Sequence, residues 1–442
     1  MNPLINSPVY ILSKVPGFNQ LLNTDVSVDV SADDNDNDTL TKFVCTNYTK
    51  TGKNYKILHY DKSMLNNDLI PTFGLIRSVI VNPNGQVVCF SPPKSFNADA
   101  FITLFPQKKE DIVAEEFVEG TMINVFWDQS IGINGSFEIA TRNTVGADVV
   151  FFKKPEPKTF KSMFLEACEC AHLDINSLNK EYCYSFVLQH PDNRIVVPFS
   201  SPQLYLVAVY KIIHFNSAIN CESSDKFTDL VNYNNNNEIH VLPVDLDIVK
   251  SAVGWQQTDV KFPQKYTEWS SYSELIDKYA SPNTVYNVLG VVIKNVSTGM
   301  RCKIRNPIYE EVRQLRGNQP KGQYQYLTLR PKGKVSEFLK YYPEFKNEFS
   351  AYRDQLHMFT NNLYRNYVSC YIKKEKPLLE FPVQYRTHMY KIHEHYINDL
   401  KPENKYVTNT VVIEFVNKLL PAHQMHSLNY NVAKHAVDCI KA

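Results

Sequence analysis

AEEFVEGTMINVFWD, residues 114–128, decides how the rest of the chain is read. Its second half, TMINVFWD, is almost continuously apolar, which is the pattern of a buried strand, and the Glu119-Gly120 pair ahead of it reads as a tight corner. Three further regions stand around it: GLIRSVIV with CFSPPKSFN between residues 74 and 97, YSFVLQHPDNRIVVPF at 184–199, and VLGVVIKNVSTGMRCKIRNPIY at 288–309.

Working outward, the runs IRSVIV, QVVCF, TMINVFW, FEIAT, YSFVL, RIVVPF, LYLVAVY and VLGVVIK are too many and too short for anything but a β-rich domain. Between FEIAT and YSFVL, KTFKSMFLEACECAHL repeats its apolar positions at helical spacing and is expected to be a helix. Residues 1 to about 70 are short apolar segments broken by the DDNDND run at 33–38, expected to be a solvated loop. Ser223–Lys250 contains NYNNNNE and is expected to be a mobile surface loop. From Ser336 to about Ile397, and again from Thr408 to Leu420, Tyr, Phe, Leu, Lys and His recur three and four residues apart. Lys-Pro pairs at 376 and 401 interrupt that pattern, which predicts a helical domain from about residue 325 onward.

Composition narrows the classes. A chain of 442 residues with 43% hydrophobic content has room for a large core and two or more domains. A formal net charge of +1 excludes holding nucleic acid by bulk charge, so any such site is a local patch. Nine cysteines without a Cys-x-x-Cys pair read as reduced thiols. No run reaches membrane-spanning length and the first residues carry no basic-then-apolar leader, so the expectation is a soluble, cytoplasmic protein. Abundant Asn, Lys, Ile and Tyr with only 14 glycines suit an AT-rich coding genome such as a large DNA virus has, which would place it in host cytoplasm or a virus factory. His388, His393 and His395 are spaced by five and two, which does not put three imidazoles on one helix face, so no metal site is expected there. The aromatic and basic interleaving of NNLYRNYVSCYIKKEK fits either RNA stacking or a helix that packs its tyrosines inward.

Together the four regions resemble the nucleotidyltransferase domain of covalent RNA ligases, DNA ligases and capping enzymes, most closely the RNA ligase 1 branch of bacteriophage T4. The resemblance covers about residues 70–310. It implies an α+β fold, a ligase adenylation domain of antiparallel β-sheets with flanking helices, followed by an all-helical C-terminal domain. The boundaries expected are an N-terminal extension, 1–69, packing on the ligase-like domain at 70–320, and the helical domain at 325–442.

In that family a Lys-x-Asp/Glu-Gly element supplies the lysine that attacks the α-phosphate of ATP. Here it reads Phe117-Val118-Glu119-Gly120, and the lysine is gone. The resemblance further implies that Arg77 and Lys94 face phosphates, that Arg142 holds the basic position of the next motif, and that Lys303 and Arg305, with Lys294 ahead of them, match the paired lysines of the last. Glu119, beside Gly120, matches a position that contacts the nucleotide sugar. Two acids that would hold a divalent metal fall at Val187 and Leu289. The cationic half of a ligase pocket is therefore present, while the nucleophile and the acidic half have become Phe117, Val187 and Leu289.

Lys108 and Lys109 precede Phe117 by eight or more residues on a polar turn, which leaves Lys94 as the lysine able to approach a phosphate. The first expectation is a catalytically degenerate, ligase-like protein that binds RNA ends or nucleotide phosphates, or scaffolds a protein partner, without forming lysyl-AMP. It requires no cofactor, and ATP or another nucleotide is its candidate ligand. An active RNA ligase or capping-like enzyme with a displaced lysine is the alternative, and a structural or virion-associated protein the third.

Overall fold

A computed structural model describes residues 8–23, 43–50, 53–151, 156–215 and 238–431. The chain divides into two compact units, Met1–Glu310 and Glu311–Ala442. Alternating and continuous apolar runs become short strands in the first of them. β1 (Tyr10–Ile11), β2 (Phe43–Lys50), β3 (Lys53–Tyr60), β4 (Val79–Val81) and β5 (Val87–Phe90) come first. β6 (Ile112–Glu116), β7 (Thr121–Asp128), β8 (Ser136–Ala140) and β9 (Tyr182–Gln189) follow. The last are β10 (Gln203–Phe215), β11 (Glu238–Val244), β12 (Lys265–Tyr266), β13 (Gly290–Asn295) and β14 (Arg301–Arg305).

These make three sheets among the described residues, ordered β1-β11-β10-β9-β7-β8, β2-β3-β4-β5 and β12-β6-β13-β14. Every pairing between these strands is antiparallel. The architecture is α+β, with antiparallel sheets in the first unit and helices in the second.

β7 and β9 sit in the middle of the six-stranded sheet and are buried on both faces, which is why their sequences run apolar instead of alternating. On one face Phe126 and Cys183 join a core shared with β3, β4 and β5; on the other Ile123, Val125, Tyr184, Phe186 and Leu188 pack on the helix Phe160–Cys170. Fully burying a Phe or Leu side chain contributes roughly 1.5–3 kcal/mol each, so this pair of strands anchors the unit. Two polar side chains inside it are satisfied by each other: Ser185 Oγ donates to Asn124 Oδ1 at 2.9 Å, and Asn124 Nδ2 donates to Ser91 Oγ at 2.9 Å.

The four-stranded sheet β12-β6-β13-β14 covers its own core. Ala114, Val291, Ile293 and Cys302 face Phe101 of the helix Ala98–Leu104 and Tyr272 and Leu275 of the helix Tyr272–Tyr279. Because side chains alternate along a strand, β14 then turns Arg301, Lys303 and Arg305 to the opposite face. Gly290 opens β13 with φ +134°, and a Cβ there would collide with the Ile304 carbonyl oxygen across the ladder.

Two expectations need correcting. RIVVPF is not a strand: residues 194–199 run as bends after a 3-10 turn at Pro191–Asn193, because the Val196 and Val197 amides are engaged by a side chain instead of a ladder. The polar segment 223–250 is not all loop. Residues 238–244 are β11, paired between β1 and β10, and Leu246–Ser251 is a helix capped by Asp245; residues 223–237 and the DDNDND run lie outside the described residues. In the first unit, which runs to Glu310, Leu12, Val15 and Phe18 belong to the core that also holds Phe90 and Phe126.

The second unit is helical, including Gly322–Leu329, Val335–Tyr341, Lys346–Tyr367, Val383–His395, Asn409–Lys418 and Pro421–Leu428. Its aromatic residues pack on one another: Phe338 stacks on Phe349 at 4.9 Å, and Tyr371 on His393 at 3.9 Å. Of the tyrosines in NNLYRNYVSCYIKKEK, Tyr367 is buried and Tyr364 and Tyr371 are half-buried, so this stretch packs its rings inward. No helix among the described residues is long and apolar enough to cross a membrane.

Candidate anion-binding cleft

The site grows from the Glu119-Gly120 corner. Gly120 has φ +144°, and a Cβ would run into the Leu188 carbonyl oxygen of β9, so the corner presses backbone against backbone. The HPDNRIV fragment clasps it. Gln189 Nε2 donates to the Glu119 carbonyl at 2.9 Å, and Asn193 Nδ2 donates to Thr121 Oγ1 at 2.8 Å. His190 accepts the Asp192 amide on Nδ1 at 3.0 Å, which leaves Nε2 to donate to Glu166 at 3.1 Å. The Glu119 carboxylate receives the Val196 amide at 2.8 Å and the Val197 amide at 3.1 Å, with a further hydrogen bond to Tyr309. Burial pushes its pKa up and these hydrogen bonds hold it back. Glu119 is thus committed to the fold and does not line the cleft.

The first unit also carries an open cleft of about 740 Å³. Arg77, Lys94, Arg142, Lys303 and Arg305 all line it, with Tyr60, Asn66, Asn67 and Asn97 among its polar walls. They arrive from four places: the approach to β4, the loop after β5, the turn after β8, and β14. The loop after β5 is fixed by its backbone, Lys94 N donating to Gly74 O at 2.8 Å and Phe96 N to Arg301 O at 2.9 Å. The carbonyls of Pro92 and Pro93 collect two guanidinium groups, Arg77 Nη1 at 3.4 Å and Arg301 Nη2 at 2.5 Å. Asn306, fully buried, donates to the carbonyls of Val285 and Val288 at 2.8 and 2.9 Å and so seats the end of β14.

Among the described residues no carboxylate lines the cleft. Arg305 reaches Glu310 at 3.3 Å, and Lys294 pairs with Glu115. Arg142 lies 5.7 Å from the Tyr60 ring, and its Nε is buried without a partner. Lys303 makes no ion pair among the described residues; its Nζ sits 4.4 Å from the centroid of the Phe117 ring, with the Arg305 guanidinium at 5.8 Å from the same ring. Burial, and then Arg301, Arg77, Arg305 and Lys294, push the Lys303 amine down to about 6. Burial and Arg301 take Arg77 down to about 10, and burial and Arg77 lower exposed Lys94.

Of the residues singled out in the sequence, Arg77, Lys94, Arg142, Lys303 and Arg305 share one cleft and Phe117 forms a platform beside it. Val187, in β9, and Leu289, before β13, are buried and apolar. Glu119, Gly120 and Lys294 serve the surrounding fold. Sequence reading missed Arg301, although it stands two residues before Lys303 on the same strand and alternation alone puts both on one face. Tyr60, Asn66 and Asn67 carried no signal. His388, His393 and His395 make separate contacts, with Ser427, the Tyr371 ring and Asp399. Among the described residues no group of three His, Cys, Asp or Glu side chains is placed to hold a metal ion.

No family model matches the chain. A 107-residue stretch, 22% of the chain, is 30% identical to the RNA ligase of Rhodothermus phage RM378 and spans 22% of that protein's length. Among solved structures, the chain is similar to an archaeal ATP-dependent RNA ligase at a TM-score of 0.37 and 12% identity, over 70% of this chain and 71% of that one. It is also similar to a Naegleria gruberi RNA ligase mutant solved with ATP and Mn, at a TM-score of 0.33 and 10% identity, over 51% of this chain and 58% of that one.

Proposed function

We propose that this protein is an RNA ligase-like phosphate-binding protein that holds an RNA end or a nucleotide in the cationic cleft and forms no lysyl-AMP. The reading rests on one observation above the rest: among the described residues, five cations and no carboxylate line a cleft of about 740 Å³. Like charges brought together repel, and an anion is the natural occupant. Phe117 offers a ring where the family resemblance puts the attacking amine, and Val187 and Leu289 offer methyl groups where it puts metal-binding acids. The anion is then bound without strict dependence on magnesium.

Incubation with labelled ATP and magnesium, or with GTP, is expected to leave no covalent label, while ATP or short phosphorylated RNA binds in EDTA. A stoichiometric adduct on any lysine overturns the first half, and binding that vanishes with EDTA the second. One observation favours a second reading, an active nucleotidyltransferase with a displaced nucleophile: Lys303, not the exposed Lys94, is the amine held unprotonated near neutral pH, directly over the Phe117 ring. That reading requires a label that Lys303→Met removes.

A further inference from the structure

The cleft's cations are not equivalent. Arg305 has Glu310, Arg77 and Arg301 have the Pro92 and Pro93 carbonyls, and Arg142 has the Tyr60 ring. Among the described residues the Lys303 amine has only the Phe117 ring, which supplies no hydrogen-bond acceptor; Lys94 and Arg142 also lack one, but Lys94 is exposed and Arg142 is a guanidinium, so Lys303 is the half-buried amine of the cleft. We propose that the cleft is a receptor for a terminal phosphate, the phosphate monoester that ends an RNA strand or a nucleotide, and that Lys303 is the residue that tells it from a chain-internal phosphodiester. The inference rests on the phosphate-binding reading given above and narrows it to one ligand chemistry.

The charge of the ligand makes the distinction. A diester carries one negative charge and two free oxygens; a monoester carries about −1.5 to −2 near neutral pH and offers three. Empty, the cleft crowds its cations, and its half-buried amine gives way: burial weighs most against the charged form of Lys303, and Arg301 on its own strand, Arg77 on the approach to β4, Arg305 on the same strand and Lys294 on β13 add to it. Glu115 and Glu310 are engaged by Lys294 and Arg305, and Asp99, on the helix that packs against β14, is exposed and makes no ion pair with Lys303. An arriving phosphate reverses the balance. A dianion both relieves the repulsion and supplies the missing acceptor, so Lys303 takes up a proton as the ligand binds. A diester, already met by the arginines, leaves less charge to draw that proton in.

The test is calorimetry on the full chain at pH 7.5 in EDTA. Its ligands are one short RNA prepared with a 5′-phosphate, with a 3′-phosphate and with hydroxyls at both ends, together with inorganic phosphate and ATP. A phosphorylated RNA is expected to bind at least about tenfold more tightly than the hydroxyl form, a gain of about 1.4 kcal/mol. Repeating the titration in two buffers of different ionisation enthalpy is expected to give an uptake of between about half and one proton in the wild type, and none in Lys303→Arg, whose guanidinium stays charged throughout. Should that variant not fold, Lys303→Met serves, since it too cannot take up a proton.

Equal affinity for the hydroxyl and phosphorylated RNAs overturns the inference and leaves the cleft a general phosphate binder. Binding of inorganic phosphate or ATP with no RNA binding upholds the monoester chemistry and assigns it to a free ligand. Proton uptake that persists in Lys303→Arg removes Lys303 from its role. Failure of every ligand to bind overturns the phosphate-binding reading itself.

Discussion

Glu119, two residues after Phe117, and Lys303, whose amine lies over the Phe117 ring, are charged groups that the fold treats in opposite ways. Glu119 is buried and its oxygens are met by two backbone amides and Tyr309. Lys303 is half-buried, faces four cations and finds only a ring. The first arrangement holds backbone in place and leaves no capacity for a ligand. The second is unsatisfied by the protein alone, and unsatisfied polar groups are where ligands add most.

The comparison breaks most sharply at the corner. Glu119→Ala removes the acceptor of the Val196 amide and the Val197 amide, and at about 1–3 kcal/mol for each buried unsatisfied donor the loss is expected to reach about 3–5 kcal/mol by chemical denaturation. Glu119→Gln keeps an acceptor oxygen and should lose markedly less. Equal losses in both would mean the amides find other partners. Gly290→Ala is expected to cost about 2–3 kcal/mol, since it adds a Cβ at φ +134° against the Ile304 carbonyl, and a neutral result by the same assay would show that β13 and β14 shift to make room.

On the cleft side the effects are smaller and appear in binding. Arg305→Ala should weaken phosphate binding by about 1–3 kcal/mol, with an affinity that falls as salt rises, because charge-assisted contacts to phosphate lie in that range; unchanged calorimetric affinity would place the ligand elsewhere.

One further effect has the opposite sign. A lysine whose folded value lies near 6 and whose unfolded value is 10.5 loses a proton on folding between those limits, so the unfolded state binds more protons and wild-type stability rises with pH across that window. Lys303→Met lacks this linkage. At pH 7 it should melt higher than wild type, by roughly a degree or more, and the gap should close toward pH 10; a gap that stays constant with pH would mean Lys303 is charged in the folded protein.

These tests also mark where the sequence was legible. The five cleft cations could be read only through the resemblance of the fragments that carry them, whereas the β-rich first unit and helical second unit could be read from hydrophobic spacing. Arg301 was available from alternation along its strand and was passed over. RIVVPF reads as a strand because its apolar content is that of one. What diverts it is a carboxylate some 80 residues away, and no local pattern carries that. β11 was lost because its EIHVLPV run adjoins an Asn-rich stretch whose composition dominates any window laid across both. Glu119 was assigned to a ligand by resemblance, since a sequence does not say which side of a corner a side chain takes.

The clasp around that corner also bears on how relatives of this chain would be found. Gln189, His190, Asn193 and the Val196 and Val197 amides make the HPDNRIV fragment recognisable, and every one of their contacts is to the fold and none to the cleft. A sequence search keyed to that fragment therefore enriches for a shared scaffold, whatever its members do. Sorting binders from catalysts among the hits takes a different probe, the side chains at positions 117, 187 and 289, where the family resemblance puts the lysine and the two acids.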